Sequence, residues 1–262
     1  MEFKNPKEIK KREELLKLFD DWKAIIKTKN QIFFPNEGKY FDALDYFNTD
    51  GFFPGYFSTK PRILFIGRES RNCSKCDRIN YKNPYEMIDE LGGGYWNRML
   101  RLVYGIKKGG NCQFTDIPAP IDILKKMIKY NNYGFAIMNI SKYSNDGKWP
   151  ANCQLINQFL KDSELEKRNF IREEIELLEP NIIITLNLWE TKIKKEYLNL
   201  IFGSSDFQTD DSENAEIGQF NLKGKTIKLV NTYHFSAYTI KHETADDQKH
   251  FYDPVMNLLF KK

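Results

Sequence analysis

Histidine and cysteine are scarce in this 262-residue chain, with three and four copies respectively. So few cysteines exclude a disulfide-stapled scaffold and fit a reducing, cytoplasmic compartment. No apolar run approaches the ~18 residues that a membrane-crossing helix needs, so no membrane association is expected. The opening stretch MEFKNPKEIKKREELLKLF is charged throughout and lacks the apolar centre of a secretory signal. The Gly-x-Ser-x-Gly, P-loop and Gly-x-Gly-x-x-Gly signatures are missing, which removes the usual marks of hydrolases and nucleotide-binding enzymes. There is no internal repeat and no low-complexity tract. Charge is nearly balanced: 40 Lys+Arg against 36 Asp+Glu leave +4, too little to identify a nucleic-acid binder from the total alone.

What the chain does have is apolar patterning and aromatic mass. Aromatic residues make up 15% of the sequence, and most of them are expected in the core. Leu15, Leu16, Leu18, Phe19, Trp22, Ile25 and Ile26 recur at helical spacing, which predicts an amphipathic helix over 7–28. Residues 31–60 are rich in aromatics, Gly and Pro and are expected to form loops or short helices. Three short apolar runs predict buried, parallel strands: Arg62-Ile-Leu-Phe-Ile-Gly67, Phe135-Ala-Ile-Met-Asn139 and Ile182-Ile-Ile-Ile-Thr-Leu186. A fourth is expected at 226–230, joined across Lys223-Gly-Lys to 220–222 as a hairpin or as a bend into the core strand. Helical patterns fall at 84–90, 96–105, 121–130, 153–160, 165–178, 189–200 and 244–260, with a polar surface loop at 203–218. This alternation predicts an α/β fold: a three-layer α/β/α sandwich around a mostly parallel, four-stranded sheet. Residues 1–60 are expected as an N-terminal elaboration packed on a single domain, 61–262.

Ligands of open parallel sheets bind beyond the carboxyl ends of the strands. Those ends carry Gly67-Arg68-Glu69-Ser70-Arg71, then Asn139 to Tyr143, then Asn187, then Asn231 to Ser236. Arg68, Arg71, Lys75, Arg78 and Lys142 make this end locally basic, while acidic residues gather separately in 206–216. A weak total charge can coexist with such a face.

In order, Gly-x-Glu at residues 67–69, Asn-x-x-Lys at 139–142 and His-x-Ser at 234–236 resemble the motifs of the uracil-DNA glycosylase superfamily. Cys153-Gln-Leu-Ile-Asn-Gln-Phe-Leu160 and Glu176-Leu-Leu-Glu-Pro-Asn-Ile-Ile-Ile-Thr-Leu-Asn187 resemble segments of its thermophilic-type branch. The resemblance spans about residues 60–258 and departs at Ser70 and Phe235, where the family has proline, and at Asn187, where it has glycine. It implies a DNA glycosylase that flips a uracil-like or modified pyrimidine out of DNA, for repair or for defence against modified foreign DNA. Glu69 would orient the attacking water, and His234 would donate to the base oxygen as charge builds there. Asn139, Tyr95 and Trp96 would bind the base. Arg68, Ser70, Arg71, Lys142 and Ser236 would hold DNA, with Tyr238 as a wedge residue. The competing roles are structural: a salt bridge of Glu69 with Arg68 or Arg71, a capping His234, core packing for the aromatic pair. A module of the same fold that binds nucleic acid without cutting it is the alternative function. No cofactor is expected. The branch's iron–sulfur cluster, or zinc, would have to use Cys73, Cys76, Cys112 and Cys153, and Tyr143 stands where that branch has a cysteine. The protein is expected to act as a monomer.

Overall fold

A computed structural model describes residues 5–29, 31–34, 37–71, 74, 94–145, 147, 151–189, 192–204, 206–209, 214–236 and 244–260. The helix expected at 84–90 lies outside these residues. Local sequence accounts for most of the described elements. Helix α1 (Pro6–Lys27) begins with proline in its first turn, and the Asn5 side chain accepts from the Lys7 amide at 2.9 Å. After it come a hairpin of β1 (Gln31–Phe34) and β2 (Lys39–Asp42) and the two-residue strand β3 (Gly51–Phe52). These occupy the segment expected to be loop. Strand β4 (Ile63–Gly67) is apolar at every position, as suits a strand covered on both faces. Then follow α2 (Gly94–Lys107), α3 (Pro120–Tyr130), β5 (Ala136–Asn139), α4 (Cys153–Asp162) and α5 (Phe170–Leu178). Asn152 and Asn169 cap α4 and α5, so α5 starts later than the expected 165. Strand β6 (Ile182–Leu186), α6 (Lys195–Phe202) and strands β7 (Gln208–Thr209), β8 (Ala215–Leu222) and β9 (Lys225–Thr232) come next. Lys223 and Gly224, both at positive φ, make the tight turn between β8 and β9. A short helix α7 (Thr244–Asp247), a π-helical turn (Gln248–Tyr252) and α8 (Asp253–Phe260) complete the described residues.

The main sheet corrects the expected four strands to seven, in the order β3-β5-β4-β6-β9-β8-β7. The four expected strands lie at its centre and are mutually parallel. β3, β8 and β7 add antiparallel edges. Helices cover both faces. Leu64 and Ile66 point into a core with α1, α4, α5 and α6, and Ile63 and Phe65 into one with α2, α3 and α8. The chain leaves β4 for β5 on one side and returns to β6 on the other. The carboxyl end of β4 is therefore the point where strand order reverses, the crevice at which such sheets bind ligands.

One charged cluster is buried inside the first core. The Lys142 ammonium donates to Asp50 Oδ2 at 2.6 Å and to the Asn139 carbonyl at 2.9 Å, and meets Glu174 Oε2 at 2.7 Å. It also lies 5.6 Å from the ring centres of both Phe19 and Trp22 on α1. Burial alone would lower the Lys142 pKa; Asp50 and Glu174 reverse that and raise it. With two carboxylates on one ammonium, burial pushes Glu174 up to about 7, against the pull of Lys142.

Removing Lys142 leaves two carboxylates buried without a cation. Lys142→Met is expected to cost about 3–5 kcal/mol of unfolding free energy in urea titrations at pH 7. The Glu174 pKa is raised, so its stabilising contribution is present at low pH and is lost as pH rises through about 7. Urea midpoints should therefore fall between pH 5 and 8 more steeply in the native chain than in Glu174→Gln.

Candidate functional site

The loops after β4 and β5 are zipped together by backbone hydrogen bonds. Ile140 donates to Gly67, Ser141 to Arg68 and Asn145 to Ser70, at 2.9, 2.9 and 3.0 Å. This ladder carries Glu69 into the crevice. Its Oε1 accepts from the Asn145 side-chain amide at 2.7 Å and from the Asn152 backbone at 3.1 Å. Its Oε2 is buried and has no hydrogen-bond partner among the described residues. Burial raises the Glu69 pKa, while these two donors and the charges of Arg68 and Arg71 hold it down. A carboxylate oriented through one oxygen, with the other unpartnered among the described residues, can act as a general base toward a water brought to it with the substrate.

Asn139 stands beside it at the end of β5. Its backbone amide donates to Asp50 and its carbonyl accepts from Lys142, so the buried cluster fixes this residue at both ends. Its side-chain amide donates to Ser70 Oγ at 3.1 Å. A Cβ on Gly67 would come within 2.6 Å of Asn139 Oδ1, so only glycine lets the amide lie across the end of β4.

His234 arrives from the end of β9. Its Nδ1 accepts from the Ser236 backbone amide at 3.2 Å, which leaves the imidazole proton on Nε2. Burial, followed by the positive charges of Arg68 and Arg71, pushes its pKa down to about 3. The ring is therefore a neutral hydrogen-bond donor throughout the physiological range. Arg68 and Arg71 act on both Glu69 and His234, favouring an anion at one and a neutral ring at the other. Tyr95, at the start of α2, lies against His234 with ring centres 5.8 Å apart.

Several expected contacts are corrected by burial. Lys142 has no exposed surface and is held by hydrogen bonds to Asp50 and the Asn139 carbonyl and by an ion pair with Glu174, so it braces Asn139 instead of meeting phosphate. Ser70 is buried as the acceptor for Asn139 and serves the crevice floor instead of the DNA backbone. Trp96 is a core residue between Phe53 and Phe135, not a stacking platform. Cys112 packs on the core with α2 and Cys153 on the opposite face of the sheet, so no single cluster can use all four cysteines. Arg68, Arg71, Tyr95 and Ser236 remain half-buried at the crevice. Tyr238, Lys75, Arg78, Cys73 and Cys76 lie outside the described residues.

Sequence patterning alone misses the residues that hold the site. Arg98, on α2, is buried, donates to the Phe235 carbonyl and pairs with Asp247 at 2.8 Å. Its guanidinium also covers the Phe251 ring at 3.9 Å. It thereby clamps the turn that presents His234. The one signal for it in the sequence is an arginine at i, i+4 and i+7 spacing with Leu102 and Gly105 on a largely apolar helix.

Arg98→Lys keeps the charge but loses the fork that reaches Phe235 and Asp247 together. It is expected to cost about 1–3 kcal/mol of stability. It should also disturb the His234 tautomer, seen in ¹⁵N spectra of the imidazole as loss of the unprotonated Nδ1 signal. Retention of that signal would show that Arg98 serves packing alone.

Compared with protein-family models and with curated proteins, the chain matches none.

Proposed function

We propose that the protein is a DNA glycosylase that hydrolyses the N-glycosidic bond of a flipped uracil-like or modified pyrimidine, in repair or in defence against modified foreign DNA. The observation that carries this reading is the placement, at neighbouring strand ends and in the field of the same two arginines, of a carboxylate with a buried, unpartnered oxygen among the described residues and a neutral histidine with an Nε2 donor. The two groups meet the two needs of the reaction. As the bond between C1′ and the base nitrogen breaks, positive charge grows on the sugar and negative charge on the base. Glu69 screens the sugar and takes a proton from the water whose oxygen adds to C1′. His234 donates a hydrogen bond from Nε2 to the base oxygen, and the base leaves with the bonding electrons. A neutral donor suits this task, since its proton is shared with the leaving anion and need not be given up.

Arg68 and Arg71 border the crevice and would meet the phosphates of the flipped nucleotide. Tyr95, against His234, is the aromatic left to stack on the base. A module that only bound nucleic acid would gain nothing from Glu69 Oε2, which is desolvated without a partner among the described residues, at a cost in stability.

Oligonucleotides containing uracil or 5-substituted pyrimidines, single- and double-stranded, are to be incubated with the protein and assayed for abasic sites. Glu69→Gln and His234→Ala should each lower the rate by at least ~10². Glu69→Gln should unfold no earlier than the native chain at pH 8, because the neutral amide removes the burial penalty on the carboxylate. The pH profile of kcat/KM should carry an acid limb above pH 4.5, where Glu69 takes up its proton as pH falls. An NMR titration of His234 centred near its ordinary 6.5 would overturn the neutral-donor assignment. Salt-sensitive binding without base release would favour the non-cutting module.

A further inference from the structure

A second polar hollow adjoins this crevice. A cleft of about 280 Å³ opens beyond the ends of β6 and β9, at the start of β8, lined by Asn187, Glu216, Asn231, Thr232 and Tyr233 among others. Tyr233 is the chain neighbour of His234. Asn187 terminates β6, the strand that separates β4 from β9, so the cleft lies alongside the Glu69–His234 crevice. Adjacent strands are ~4.8 Å apart, which puts the ends of β4 and β9 about 10 Å from each other, a nucleotide's width.

The lining is selective in its hydrogen bonding. Asn231 is already satisfied: its Oδ1 accepts from Thr185 Oγ1 at 2.8 Å and from the Leu188 amide at 3.2 Å. Its Nδ2 donates to Glu216 Oε1 at 2.8 Å. Glu216 is thus held through Oε1 and lines the cleft. Asn187 adopts a left-handed backbone, φ 55, and its Oδ1 is buried with no hydrogen-bond partner among the described residues. A cleft walled by a carboxylate and an unpartnered amide oxygen calls for a group with two N–H donors.

We propose that this cleft reads the exocyclic amine of a 4-aminopyrimidine, cytosine or a 5-substituted cytosine, with one N–H to Glu216 and the other to Asn187 Oδ1. A carboxylate accepting from the cytosine amine is an established pairing in base recognition. Uracil would instead turn a carbonyl toward the Glu216 carboxylate, acceptor against acceptor. The inference rests on the glycosylase reading and narrows its substrate to amino-bearing bases.

Two measurements separate the inference from that reading. The first is release of cytosine, 5-methylcytosine, 5-hydroxymethylcytosine, glucosylated 5-hydroxymethylcytosine and uracil from otherwise identical oligonucleotides. The second is binding of free cytosine and uracil, followed by tryptophan fluorescence. At least one amino-bearing base should be released ~10² or more faster than uracil, because a site built for a hydrogen bond rejects the analogue that lacks it. Glu216→Gln keeps an acceptor for Asn231 and gains a donor, so it should raise the uracil-to-cytosine ratio at least tenfold in both measurements. Release of uracil as fast as of any cytosine, with a ratio unmoved by Glu216→Gln, would overturn the inference and leave the glycosylase intact. Cytosine binding that Glu216→Gln weakens, without release of any base, would support the cleft and overturn the glycosylase. Neither binding nor release would overturn both.

Discussion

The Lys142 ammonium is the constraint on which the strand-end architecture depends. Two hydrogen bonds and an ion pair of this group tie together the segment before β3, the end of β5 and helix α5, and its charge lies against two rings of α1. Each of these pieces comes from a different part of the chain, and none can shift without breaking a desolvated charge contact. Inside a protein, partly satisfied charge is costly, so the cluster admits few arrangements. Asn139 inherits that rigidity through both of its backbone groups, and the paired loops pass it on to Ser70 and Glu69. Residues 1–60 are part of the same device, since Asp50 and α1 supply half of the cluster's surroundings.

The crevice shows the opposite economy. Glu69 Oε2 is buried without a partner among the described residues, and His234 is held far below its usual pKa by burial beside two arginines. Both conditions weaken the fold locally. They persist because the Arg98 clamp and the Lys142 cluster hold the surrounding backbone in place. Strain of this kind, kept by rigid neighbours, is the usual physical setting of groups tuned for chemistry.

Apolar runs make the centre of the sheet legible in the sequence. Ile63–Gly67, Ala136–Asn139 and Ile182–Leu186 are buried at every position, a pattern that continuous apolarity signals directly. The edges are not legible in this way. β3 is two residues long and exists because it pairs with β5, so no local pattern encodes it. Lys142 reads as a surface cation in the sequence because its partners Asp50 and Glu174 lie far from it in the chain. Glu174 does leave a trace: it interrupts the stripe of Ile171, Ile175 and Leu178 on α5, where a charged residue must find a buried partner. Trp96 misleads for a related reason. An aromatic at the start of a helix near the crevice can face either way, and its contacts with Phe53 and Phe135 decide for the core.

The three antiparallel edge strands also bear on chemistry. β8 pairs with β9 so that Glu216 lies opposite Asn231, and that register places a carboxylate beside the end of the last central strand. A sheet of only the four central strands would end at β9 and leave that side of the crevice open to water. The added hairpin turns it into a walled, acceptor-rich cleft. On the proposed reading, specificity and catalysis would divide between parts of one sheet: the parallel centre carries Glu69, Asn139 and His234, and the antiparallel edge carries Glu216 beside them. Such a division lets the edge change with the substrate while the buried cluster and the strand-order crevice stay as they are.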